Sequence, residues 1–92
     1  MNDKELILMM EITNIEVVSH SINGKPPRPL RFRFMEKEAV RKGKVLRVMD
    51  MKLNRWNGNL MYEYQCECLI DGYPISLKIS YEKDTMNWYI RK

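Results

Sequence analysis

The chain is poor in the residues that most often carry chemistry. It has one histidine, His20, and two cysteines, Cys66 and Cys68, in 92 residues, too few for a closed zinc ligand set or a histidine-centred triad. Its four glycines are scattered and build no phosphate-cradling loop. The run Leu6-Ile7-Leu8-Met9-Met10 follows acidic residues and is too short to span a bilayer or to act as a targeting segment. A cytoplasmic protein with no membrane partner is therefore the expectation. There is no internal repeat and no low-complexity tract. With the acids spread over expected outer faces, the chain predicts no enzyme, no catalytic residue, no cofactor and no metal.

Cys66 and Cys68 belong to one strand and one face, with Cα atoms ~6.6 Å apart and parallel side chains, poor geometry for a disulfide. They read as reduced core residues. His20 reads as a surface or hydrogen-bonded residue, because no Ser, Cys or carboxylate accompanies it in a triad-like pattern.

What the chain does have is alternation. Leu60, Tyr62, Tyr64, Cys66, Cys68 and Ile70 fall on one face of a strand, with Glu63, Gln65 and Glu67 on the other. Tyr73, Ile75, Leu77, Ile79 and Tyr81 repeat the pattern. Asp71-Gly72 between the runs suits a two-residue type I′ turn, which sets Ile70 opposite Tyr73, Cys68 opposite Ile75, Cys66 opposite Leu77 and Tyr64 opposite Ile79.

Neighbouring segments extend this hairpin into a meander. Asn57-Gly58 suits a second I′ turn, placing Leu53 opposite Tyr62, Met51 opposite Tyr64 and Met49 opposite Cys66. The same register points Arg47 inward, so a β-bulge is expected near Val48 to Asp50, switching the inward set from Met49, Met51 and Leu53 to Leu46 and Val48. The alternative is a second apolar layer on the outer face. Glu82-Lys83-Asp84-Thr85 suits a turn into a last strand with Met86, Trp88 and Ile90 inward, pairing Tyr81 with Met86, Ile79 with Trp88 and Leu77 with Ile90. Upstream, Ile15, Val17 and Ser19 mark a first strand of about eight residues starting at Ile12. Asn23 to Pro29, with three prolines, predicts an exposed, stiff loop. Leu30, Phe32 and Phe34 then form an inward face, with Arg31, Arg33 and Glu36 outward. Met35 to Lys42 favours a short helix capped by Gly43, over a hairpin turn with Val40 entering a strand. Residues 1–10 read as a short helix, a frayed terminus or an extra strand.

The expected fold is one mainly β domain over residues 1–92: an antiparallel meander of five or six strands, as a strongly curved sheet or small barrel of SH3-like or OB-like size, with a short helix.

Charge is unevenly distributed. Residues 1–22 carry a net −3, residues 23–55 a net +8 and residues 56–92 a net −1. The basic third offers Lys25, Arg28, Arg31, Arg33, Lys37, Arg41, Lys42, Lys44 and Arg47 as a polyanion-binding set, with Trp56 and Tyr89 as stacking platforms for single-stranded nucleic acid. The competing reading pairs Arg31 and Arg33 across the sheet with acids such as Glu16. Two functions fit: a binding module for nucleic acid or an acidic protein, or a protein-interaction or structural module that associates through an edge strand or exposed Met and aromatic side chains. The sequence leaves the oligomeric state open.

The run Asn23-Gly24-Lys25-Pro26-Pro27-Arg28-Pro29-Leu30-Arg31-Phe32, a Val-rich strand, a central Trp and a closing Trp88-Tyr89 resemble a family of small bacterial domains. Their shared feature is a Gly, Pro and Arg-Phe opening with an aromatic final strand. The likeness spans residues 14–92 except Met35 to Gly43. It implies a β-rich fold and a bacterial source, and no activity.

Overall fold

A computed structural model describes residues 15–56 and 58–91, without the side chain of Trp56. The expectations for residues 1–14, including the start of the first strand at Ile12, and for Asn57 lie outside the described residues. Six strands follow one another: β1 (Ile15–His20), β2 (Arg28–Glu36), β3 (Ala39–Trp56), β4 (Asn59–Ile70), β5 (Tyr73–Glu82) and β6 (Asn87–Arg91). They form one sheet in sequence order, every neighbour antiparallel. β1 and β6 approach each other without laddering, so the sheet is not closed into a barrel. No helix occurs among the described residues, and so none is long and apolar enough to cross a membrane.

The β4–β5 hairpin has the register that its turn dictates. Ile70 faces Tyr73, Cys68 faces Ile75, Cys66 faces Leu77 and Tyr64 faces Ile79. Apart from Tyr73, these side chains supply most of the core, together with Phe32, Phe34 and Ile90. Tyr73, expected inward, is 76% exposed, because it is the first residue after the turn, at the rim of the sheet. The Tyr81 and Trp88 rings pack at 4.8 Å between centroids, and Tyr64 stacks on Trp88 at 6.2 Å. Cys66 and Cys68 are buried and unbridged. Hydrogen bonding to Cys66 and burial push the Cys68 thiol up, so it stays protonated.

Met35 to Lys42 is a hairpin, not a helix. Lys37 and Glu38 form its tip, both left-handed with φ of 48° and 64°, joining Glu36 to Ala39 across the ladder. The local composition favours a helix, but eight residues gain too little to offset helix nucleation. A strand here lets Phe32 and Phe34 enter the core, and tertiary burial overrides propensity.

Three bulges account for the placements of Leu30, Leu46 and Met49. The bulge expected at Val48 to Asp50 is present: Val48 faces Cys66, Asp50 faces Gln65, and Met49 is the extra residue. A second bulge follows, with Val45 opposite Cys68 and Arg47 opposite Glu67, so Leu46 is extra. Val45 and Val48 pack on the core, whereas Leu46 and Met49, expected inward, are 52% and 53% exposed. In β2, Val18 faces Arg31 while Ser19 faces Pro29, so Leu30 is ejected, 46% exposed. Each extra residue leaves the ladder and spares its neighbours a change of face. Met51 and Leu53 do oppose Tyr64 and Tyr62. Both are nevertheless exposed, because β2 pairs with β3 only from Ala39 to Lys44.

The proline segment is less exposed than its composition implies. Asn23 to Lys25 form an open turn, but Pro29 is fully buried inside β2. The Tyr64 hydroxyl donates to the Pro27 carbonyl, tying this segment to the core. Burial pushes the Tyr64 phenol up to about 12, so it remains a donor throughout the physiological range.

The last hairpin is displaced by two residues from its expected register. Glu82 faces Asn87, Tyr81 faces Trp88 and Ile79 faces Ile90. The loop is Lys83 to Met86, and Met86, expected inward, is exposed with φ of 60°. The cause is Glu82, buried on the face opposite the core beside the equally buried Met61 and Ser80. Its carboxylate accepts from the Thr85 hydroxyl, from Asn59 Nδ2 at 2.7 Å and from the Tyr89 hydroxyl at 3.2 Å. These contacts fix Glu82 as the last strand residue.

The same contacts make the fold acid-sensitive. Donors, Thr85 foremost, hold the Glu82 carboxyl below its ordinary value against the opposing effect of burial. A carboxyl depressed in the folded state stabilises the fold above its unfolded value of ~4.3, and that contribution is lost as pH falls through the folded value. Thermal melts should therefore fall steeply below about pH 4.5. Glu82→Gln should melt lower at neutral pH and lose less on acidification; equal acid slopes in the two proteins would show that Glu82 is not responsible.

Candidate polyanion-binding face

Phe32 and Phe34 point into the core, so Arg31 and Arg33 point out. Across the ladder Arg31 faces Lys44 and Arg33 faces Lys42. All four are exposed. Directly opposed residues hold their Cβ atoms ~4.5–5.5 Å apart, and successive residues on one face lie ~6.6 Å apart along the strand. The result is a two-by-two grid of cations. Its neighbours on β1 are Val18, beside Arg31, and Glu16, beside Arg33. Apart from Lys44, these residues line a shallow depression of about 440 Å³.

Lys42 is fixed by the β4–β5 turn. Its backbone N–H donates to Asp71 Oδ1 at 3.2 Å, and the Asp71 N–H donates to the Lys42 carbonyl at 2.9 Å. Behind the grid, the far edge of the Phe32 ring occupies the space beside Gly43, where a side chain has no room.

The expected basic residues separate into groups. Arg33 is paired with Glu16, as the cross-strand reading anticipated. Arg41 is partly buried between Glu36 at 3.6 Å and Asp71 at 2.5 Å, a structural position. Arg47 forms a two-pronged contact with Glu67, at 2.9 and 3.1 Å, and holds the Glu67 carboxyl below its usual range. Lys37 sits at the hairpin tip. Lys25 and Arg28 line a different cleft, together with His20. Arg31, Lys42 and Lys44 carry no ion pair among the described residues.

Of the two stacking residues, Tyr89 does not join the grid. Tyr89 is half-buried, and its hydroxyl is committed to Glu82. The side chain of Trp56 lies outside the described residues. Apolar neighbours were missed by the strand-by-strand reading: Met35 and Val40 oppose each other beyond Arg33 and Lys42, and both are exposed. The hairpin that pairs them was hidden by the helix-like composition.

Chemically, this face is suited to distributed negative charge. Like charges set directly opposite one another are destabilising by some tenths of a kcal/mol or more. Glu16 offsets one of four cations, and an arriving anion would relieve the rest. No protein-family model, no curated protein and no solved structure matches the chain.

Proposed function

We propose that this domain is a binding module whose outer β2–β3 face contacts a polyanion, with the phosphate backbone of nucleic acid as the best-matched chemistry. The observation that carries the reading is the pairing of Arg31 with Lys44 and Arg33 with Lys42, countered only by Glu16 among the described residues. A fold that needed no anion would gain from an acid at one of these positions. Aromatic platforms are missing from the described part of the face, so binding should show weak base preference. A reducing, cytoplasmic setting suits the two buried free thiols.

Titration of a labelled oligothymidylate at two salt concentrations tests this. Three phosphate contacts on a single strand predict a slope near −2 in log affinity against log salt, from ~0.7 per contact. Lys44→Glu should weaken binding by about tenfold or more while raising stability by ~0.2–1 kcal/mol, because the repelled pair becomes an attractive one. Affinity indifferent to salt and to Lys44→Glu would refute the proposal.

A further inference from the structure

The sheet contains a gap. β2 and β3 are paired from Arg31 opposite Lys44 to the hairpin tip, and beyond Arg31 and Lys44 they separate. From Val45 to Trp56, β3 pairs with β4 alone among the described residues. Between the parted strands lies a cleft of about 590 Å³, with Ile22, Lys25 and Arg28 on one side and Met49, Asp50 and Met51 on the other.

Among the described residues, no strand pairs with the β3 side of this cleft. With Trp56 opposite Asn59 across a two-residue turn, antiparallel alternation directs the N–H groups of Met51, Leu53 and Arg55 away from β4. Two of these are held locally: Asp50 Oδ1 accepts from Met51 at 3.0 Å and Asn54 Oδ1 from Arg55 at 2.9 Å. Such caps blunt an edge. Leu53 has no capping neighbour of this kind, since a lysine precedes it.

We infer that this cleft is a strand-addition site for an extended acidic segment of a partner protein. Its backbone would pair with Met51 and Leu53, which gives affinity without sequence demands. An apolar side chain would meet Ile22, Met49 and Met51, all roughly half exposed. Its carboxylates would meet Lys25 and Arg28, neither of which has an ion pair among the described residues. Charge selects an acidic partner over a second copy of this chain. A second β3 would bring Lys52 and Arg55 toward Lys25 and Arg28, with Arg47 already paired to Glu67 and Asp50 the one acid of β3 to offset them. Asp50 acts as a gate, because it must release the Met51 amide before a strand can pair there.

The inference is independent of the basic grid, and the test keeps the two apart. A labelled peptide of alternating Glu and Val is titrated by anisotropy, beside its Lys–Val counterpart and a version with proline at every second position. Saturable binding of the Glu–Val peptide alone is expected, with amide shifts at Met51 and Leu53 by NMR and no displacement by excess oligothymidylate. Arg28→Glu should weaken it about tenfold or more. Asp50→Ala should tighten it several-fold, by freeing an amide and removing a repelling carboxylate. Any one of four results would overturn the inference: no binding at millimolar peptide, equal binding of the proline-interrupted peptide, displacement by oligothymidylate, or self-association of Asp50→Ala by light scattering in place of peptide binding.

Discussion

Ending the chain after Tyr81 should abolish cooperative folding. The deleted part includes Ile90, 2% exposed, and Trp88, whose ring packs against both Tyr64 and Tyr81. It also includes Glu82 and two of its three hydrogen-bond donors, Thr85 and Tyr89. Loss of β6 would uncover Ile79, which is completely buried on β5 opposite Ile90. Burying one such aliphatic or aromatic side chain contributes ~1.5–3 kcal/mol, and a domain of this size has a total stability of ~5–15 kcal/mol. Three or four of these losses together exceed what the fold can spare. The expected result is a flat thermal melt and a collapsed amide spectrum. A soluble truncated chain that still melts in one sharp transition would show that β6 is an accessory strand.

Gly43→Ala should be the most damaging single-methyl addition in the protein. A Cβ on residue 43 would lie 2.1 to 2.6 Å from the Phe32 ring. That ring is 4% exposed and stacked beside Phe34, so it has no solvent into which it can swing. Overpacking of this kind costs ~1–3 kcal/mol. Phe32→Ala alone should cost ~3–5 kcal/mol through its cavity. If the two residues compete for one space, the double variant should be more stable than the sum of the single losses, by an interaction energy of ~1 kcal/mol or more. Chemical denaturation of the four proteins measures it. Strict additivity would mean that the ring relaxes away from position 43 at no cost.

The legibility of this chain divides along physical lines. The β4–β5 hairpin was readable because Asp71-Gly72 and the alternation from Leu60 to Tyr81 independently specify one register. The bulge near Met49 was readable from a contradiction, since an uninterrupted strand would bury Arg47. Its companion at Leu46 was not, because Leu46 and Val45 are equally apolar and nothing local says which one the core accepts. Lys37-Glu38 lacked the glycine or asparagine that normally marks a type I′ turn, so the β2–β3 hairpin was masked by helix-favouring residues. The Glu82 cluster depends on Asn59, Thr85 and Tyr89 from three separate segments, and such long-range convergence leaves no period in the sequence.

The same limit applied to function. Charge counting found the basic third, yet only the pairing of β2 with β3 separates the four cations that share a face from Arg41 and Arg47, which are committed to neighbouring acids. The cleft beside Asp50 was invisible from the sequence, because it exists where a ladder stops.

Leu30, Leu46 and Met49 have a bearing on how the length of this chain can vary. A strand normally forbids the loss of one residue, because everything beyond the deletion changes face. At these three positions the residue is supernumerary, and each pair on either side, such as Val48 with Cys66 and Asp50 with Gln65, already exists without it. Deleting any one of them would straighten the strand and leave every core side chain on its own face. They are places inside strands where the chain can shorten by one residue and still fold to the same pairing.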